Sequence, residues 1–142
     1  MPHSIVYQVE LPYRCLPGFS IVSPALPVIL DWNGHTAQTV GILDSGSTHT
    51  VFSRDIASLL GIDDITEGTL LNIATAGGSI SVYLFNLELQ VRAGSIHQQF
   101  SGQVGFADGR LPRNILGLNV VFQQFQIGFR DSRQLVYLLP ET

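Results

Sequence analysis

Asn33-Gly34 lies between two strand-like runs, residues 27–32 and 35–43. Both central residues of a two-residue type I′ turn need positive φ, which Asn and Gly tolerate and most residues do not. The dipeptide therefore predicts a hairpin and fixes where its second arm ends. That arm runs through Gly41-Ile42-Leu43 into a carboxylate, Asp44, followed by Ser45, Gly46, Ser47, Thr48, His49 and Thr50 before the chain turns apolar at Val51. A charge at the end of a buried strand is costly unless it is paired, hydrogen-bonded or neutralised. The Asp44 loop is the place where this chain holds something it must account for.

The remaining segments read as short strands between turns. The chain has 14 Gly and 7 Pro, and the apolar stretches between them are rich in Val, Ile and Phe, a pattern of all-β domains. Residues 4–11 alternate Ile5, Tyr7, Val9 and Leu11 with other residues, as a strand does, and residues 12–18 read as a loop. Ser53 is a candidate N-cap for a short helix over 53–60 with Ile56, Leu59 and Leu60 inward and Gly61 as its stop. Asp63, Asp64 and Glu67 read as a solvated acidic loop. Strands over 69–74 and 79–84 flank the glycine-rich Thr75-Ala76-Gly77-Gly78, and further strands are expected over 87–91 and 95–104. A second buried strand, 114–117, leads into Leu118, Val121, Phe122 and Phe125, spaced as one helical face, and a hairpin closes the chain over 126–139.

Composition limits the function classes. A chain of 142 residues suits one domain, yet only 13% of it is charged against 45% hydrophobic, so part of the surface is expected to be covered by a partner subunit. The net charge is −4, all seven basic residues are arginines, and no basic cluster exists, which argues against nucleic-acid binding. No apolar run is long enough for a membrane-spanning helix, and the N-terminus has no leader pattern. Cys15 is the single cysteine, so no internal disulfide is expected, and a soluble, cytoplasm-leaning chain is the expectation. His3, His35, His49 and His97 are scattered without metal-type spacing, and no metal or cofactor is expected. His49 near Ser47 does not make a Ser–His–Asp triad, because adjacency in an extended loop does not orient three side chains.

Ile42-Leu43-Asp44-Ser45-Gly46-Ser47 early, a glycine-tipped hairpin some thirty residues on, and Ile115-Leu116-Gly117 late together resemble the retropepsin-like aspartic proteases. The match covers roughly residues 28–139 and looks closer to the cellular single-domain members than to the viral ones. The resemblance implies an all-β, closed-barrel-like acid-protease single lobe with one or two short helices, active as a homodimer on polypeptide substrates. It implies that Asp44 is the catalytic carboxylate and meets its symmetry copy on a two-fold axis. Ser45 would hydrogen-bond across that axis, Gly46 would let backbone approach the carboxylate, and Ser47 would donate to the outer oxygen of Asp44. Thr75, Ala76, Gly77, Gly78 and Ser79 would form a flap over bound peptide, and the chain termini an intersubunit sheet. Many viral members carry arginine where this chain has Leu118.

The expectation is thus one domain, residues 1–142, with residues 1–25 as an N-terminal extension or edge strand and 26–139 as the core. The expected function is aspartic endopeptidase. The alternative is a non-catalytic dimerisation or peptide-binding module on the same fold.

Overall fold

A computed structural model describes residues 4–142, so His3 and the start of the N-terminus lie outside the described residues. In chain order the strands are β1 (Val9–Pro12), β2 (Arg14–Cys15), β3 (Val22–Ser23), β4 (Ala25–Trp32), β5 (His35–Leu43) and β6 (Val51–Phe52). After helix α1 (Arg54–Leu59) come β7 (Thr69–Thr75), β8 (Gly78–Ala93), β9 (Ile96–Ala107) and β10 (Ile115–Leu116). A single helical turn, α2 (Val121–Gln124), then leads to β11 (Phe125–Arg130) and β12 (Leu135–Pro140).

The predicted turn forms as expected. Asn33 and Gly34 take φ of 51° and 85°, and β4 pairs with β5 from Ala25↔Ile42 to Trp32↔His35. Asp31 fastens this turn by accepting the Gly34 N–H at 3.2 Å. Along β4, Leu26, Val28 and Leu30 are buried while Pro27, Ile29 and Asp31 are only partly covered, the period-two signature of a strand with one face on a core. Strands β4, β5, β10, β6, β9 and β8 hydrogen-bond in that order, and β8 returns to β4 through Ile29↔Gln90 to Asp31↔Glu88. The result is a closed barrel, which leaves these strands no open edge. β7 pairs on β8 beyond the barrel. The interior is filled by Leu26, Leu30, Phe52, Leu60, Leu89 and Phe106, with Phe85 edge-on to both Trp32 and Phe106.

Several local expectations are corrected. Residues 87–91 are not a separate strand, because β8 runs unbroken for 16 residues and serves β7, β9 and β4 in turn. The N-terminal strand starts at Val9 rather than at residue 4. Ser53 adopts the extended N-cap backbone but its side chain makes no cap bond; its own N–H donates instead to Asn114 Oδ1 at 2.9 Å. The buried face of α1 is Ile56, Ala57 and then Leu60, whereas Leu59 is 62% exposed. Gly61, at φ 78°, does end the helix as expected. Phe125, expected on the helical face, is extended, at φ −137° and ψ 143°, because it starts β11 opposite Pro140 and packs edge-on against Phe100. Asp64 is more than a solvated acid: it accepts Thr66 N–H at 3.0 Å and the Thr66 hydroxyl, closing a turn that buries Ile65. Those two bonds, the hydroxyl's first, hold its carboxyl below the usual range.

The chain ends pair within one molecule. β1 lies along β12 from Val9↔Leu138 to Pro12↔Leu135, and β11 occupies the other side of β12. Both hydrogen-bonding edges of β12 are therefore taken, so an intersubunit sheet at this end has only β1 or β11 to extend. Cys15 is exposed and free. Among the described residues, no helix is long and apolar enough to cross a membrane.

Candidate active site

Asp44 stands where three strands meet. β5 and β10 run parallel with Ile42 opposite Ile115 and Leu43 opposite Leu116, and β10 is antiparallel to β6. The parallel ladder extends to the acid itself, since Asp44 N–H donates to Leu116 O at 3.0 Å. Beyond it the chain turns sharply. Ser47 N–H returns to Asp44 O at 3.1 Å, and Gly46 N–H donates to Asp44 Oδ1 at 2.9 Å. The carboxylate is half-buried in the single chain, and Ser45 and Gly46 are exposed. The Ser47 hydroxyl, expected to donate to the outer oxygen of Asp44, instead donates to His49 O at 2.7 Å. A carbonyl two residues along the same loop is the nearer acceptor, so Ser47 shapes the loop rather than capping the acid.

The loop rests on the segment after β10. Thr50 is fully buried, and its three polar groups are all engaged: N–H to Asn119 Oδ1 at 2.9 Å, C=O from Gly105 N–H at 2.9 Å, and Oγ1 from Gly117 N–H at 3.1 Å. Leu118 N–H donates to Ser47 O at 2.9 Å, and Asn119 Nδ2 donates to Gln103 O at 2.9 Å. Asn114 clips the other side, giving Nδ2 to Thr39 Oγ1 and accepting Ser53 N–H. Gly117 is required by space rather than by φ. A Cβ there would lie 2.2 Å from His49 O and 2.7 Å from Ser47 O, both backbone atoms.

Thr50→Val tests this support. Valine keeps the volume but leaves the buried Gly117 N–H without an acceptor, a loss of about 1–3 kcal/mol. The expected result is a lower midpoint in urea with an unchanged slope; an unchanged midpoint would show that the Thr50 bond is dispensable.

Asp44 opens into a cavity of about 610 Å³, within the range of small-ligand and peptide clefts. Its apolar lining, Val51, Ile73, Ile80, Leu111 and Ile115, comes from β6, β7, β8, β10 and the 108–114 loop. Gly46, Ser47, Thr75 and Ala76 line it too, so the structure brings five of the residues singled out in the sequence into one cleft with Asp44 among them. Gly77 and Ser79 line a neighbouring cavity of about 530 Å³ with residues 108–112. Ser45 and Gly78 line neither cavity; Gly78 instead accepts the Thr75 hydroxyl at 2.9 Å, which ties the hairpin tip together.

Thr50, Asn114, Asn119, Leu111 and Arg113 were not read as site residues. For Thr50 and Asn119 a signal existed, because polar side chains flanking two buried apolar segments need partners. For Leu111 and Arg113 none did, since a loop's path is not periodic. Asp44 is the one carboxylate lining the cavity, and among the described residues no three His, Cys, Asp or Glu side chains cluster as metal ligands would.

The profile of the aspartyl protease family matches residues 28–120, a span that begins in β4 and encloses Asp44, Gly117 and Asn119. No curated protein matches the sequence significantly. Among solved structures the chain is similar to a retropepsin-like aspartic protease from Rickettsia conorii, at 20% identity and a TM-score of 0.60, covering 92% of this chain and 98% of that one. It also aligns with EIAV protease complexed with the inhibitor HBY-793, at 18% identity and a TM-score of 0.43, covering 84% of this chain and 93% of that one. At 20% identity, what the chain shares with the Rickettsia conorii protein is the fold.

Proposed function

The chain belongs to the aspartyl protease family and has a retropepsin-like fold, and from that premise we propose that it is an endopeptidase completed by a second copy of itself. The observation that carries the reading is the solitary Asp44. The cleft has an apolar lining suited to peptide side chains and a loop built to hold one carboxylate, but it contains only one. Water-mediated peptide hydrolysis by carboxylates needs two, an ionised one to take a proton and a neutral one to donate. A two-fold axis supplies the second as Asp44 of the partner subunit.

A further feature supports a partner. Leu118, whose N–H holds the Asp44 loop, is itself 41% exposed beside it.

In the assembled site one carboxylate acts in its ionised form and the other in its protonated form, the division of roles that the reaction requires. The ionised member takes a proton from a water as that water's oxygen attacks the peptide carbonyl carbon. The protonated member hydrogen-bonds the carbonyl oxygen as negative charge develops there. Transfer of a proton to the leaving nitrogen then releases the two product chains. Gly46 N–H fixes the orientation of Asp44 by engaging Oδ1, which leaves Oδ2 for the water and the partner acid. The 75–79 hairpin tip acts as a flap that lowers over the peptide and excludes bulk water.

Mixing wild type with Asp44→Asn tests the shared site directly. If each centre needs both acids, activity follows the square of the wild-type fraction, and an equal mixture keeps about a quarter of the activity of an all-wild-type sample. A linear fall, to one half, after the two chains are unfolded and refolded together so that subunits redistribute, would mean that each chain works alone and would overturn the reading. Peptide binding without turnover by wild type would favour the non-catalytic module.

A further inference from the structure

The 108–113 segment, Asp-Gly-Arg-Leu-Pro-Arg, borders both cavities: Leu111 and Arg113 line the one that holds Asp44, and Arg110 lines its neighbour. The acid of this segment is already engaged, because Asp108 Oδ1 pairs with Arg54 Nη1 at 3.3 Å. That is the one ion pair among the described residues, so Arg110 and Arg113 have no carboxylate within 4.0 Å. Arg110 and Arg113 thus place two cations on one short cleft border in a chain whose net charge is −4.

Arg113 also has a partner. Its guanidinium carbon lies 5.5 Å from the centre of the Phe19 ring, a cation–π contact that favours the side-chain positions over that ring. Phe19 belongs to the loop between β2 and β3. That loop is pinned by buried Leu16, which accepts the Phe19 N–H at 3.0 Å. A guanidinium presents a fork matched to a carboxylate. The N-terminal segment thus reaches the wall of the cleft.

Resting on the endopeptidase reading, we infer that the cleft selects peptides carrying an acidic side chain close to the apolar residues at the scissile bond. Arg113 is the specificity-determining residue, and Phe19 positions it.

The test uses apolar-centred decapeptides that carry Glu or its neutral isostere Gln at each flanking position in turn, at a pH of about 6, where peptide Glu is ionised. Wild type is expected to cleave the Glu peptide about fivefold better in kcat/KM at one or more positions, with the ratio shrinking as salt rises. Arg113→Gln brings the ratio to one, and Phe19→Leu lowers it. A ratio of one in wild type, or one that survives Arg113→Gln, overturns the inference. The same peptides, fluorescently labelled, are titrated against Asp44→Asn with and without Arg113→Gln, which reads selection without turnover. If wild type cleaves nothing but binding still favours Glu through Arg113, the endopeptidase reading falls and the Arg113 assignment stands. Binding that does not distinguish Glu from Gln, or no binding of either, overturns the assignment.

Discussion

Asp44→Asn is expected to abolish proteolysis while leaving the fold intact. Asparagine keeps an oxygen at the position that accepts Gly46 N–H, at 2.9 Å in the native loop, so the turn has no reason to reorganise. The lost property is the ability to take and share a proton. Removing acid–base catalysis alone costs about 10²–10⁴-fold, and in the proposed dimer the substitution removes both carboxylates at once. The predicted fall in kcat/KM is therefore at least about 10³-fold, with stability inside the roughly ±0.5 kcal/mol of an ordinary surface change. Steady-state cleavage of a peptide library and a thermal melt, measured on the same preparation, check both halves. Residual cleavage near the wild-type rate would remove Asp44 from the reaction.

Gly117→Ala has the larger structural effect. The added methyl would overlap His49 O at 2.2 Å and His49 C at 2.6 Å. These are main-chain atoms of the Asp44 loop, so relief requires moving the loop or β10, not rotating a side chain. Overpacking of this kind costs about 3 kcal/mol at the upper end of its usual range. At roughly 3 °C per kcal/mol for a domain of this size, Tm is expected to fall by about 10 °C. Activity should fall further than stability does, because the displaced atoms carry Asp44. A variant with native Tm would mean that the loop and β10 are not packed as described.

How far the sequence could be read follows from which forces are local. The 33–34 turn was legible because its φ requirement is a property of two residues, and the order of strands because alternation survives in the text. The Asp44 loop was legible through its motif. What Ser47 bonds was not, since it depends on which acceptor the turned loop brings nearest, and His49 O won. The helix expected over 118–125 shrank to 121–124 because apolar residues at Val121 and Phe125 satisfy a strand entry as well as a helical face. Arg113 and Phe19 stand 94 positions apart in the chain, and no pattern in either neighbourhood announces the contact.

The supports of the Asp44 loop come from late in the chain. Its long-range hydrogen bonds reach Gly117 and Asn119, separations of 67 and 69 residues, and Ser53 just beyond it depends on Asn114. A chain still emerging from the ribosome, with residues 114–119 unmade, has the acid and its own turn but lacks the strand and side chains that brace it. The Asp44 loop is thereby timed by synthesis: its braces are complete only once residue 119 has been made.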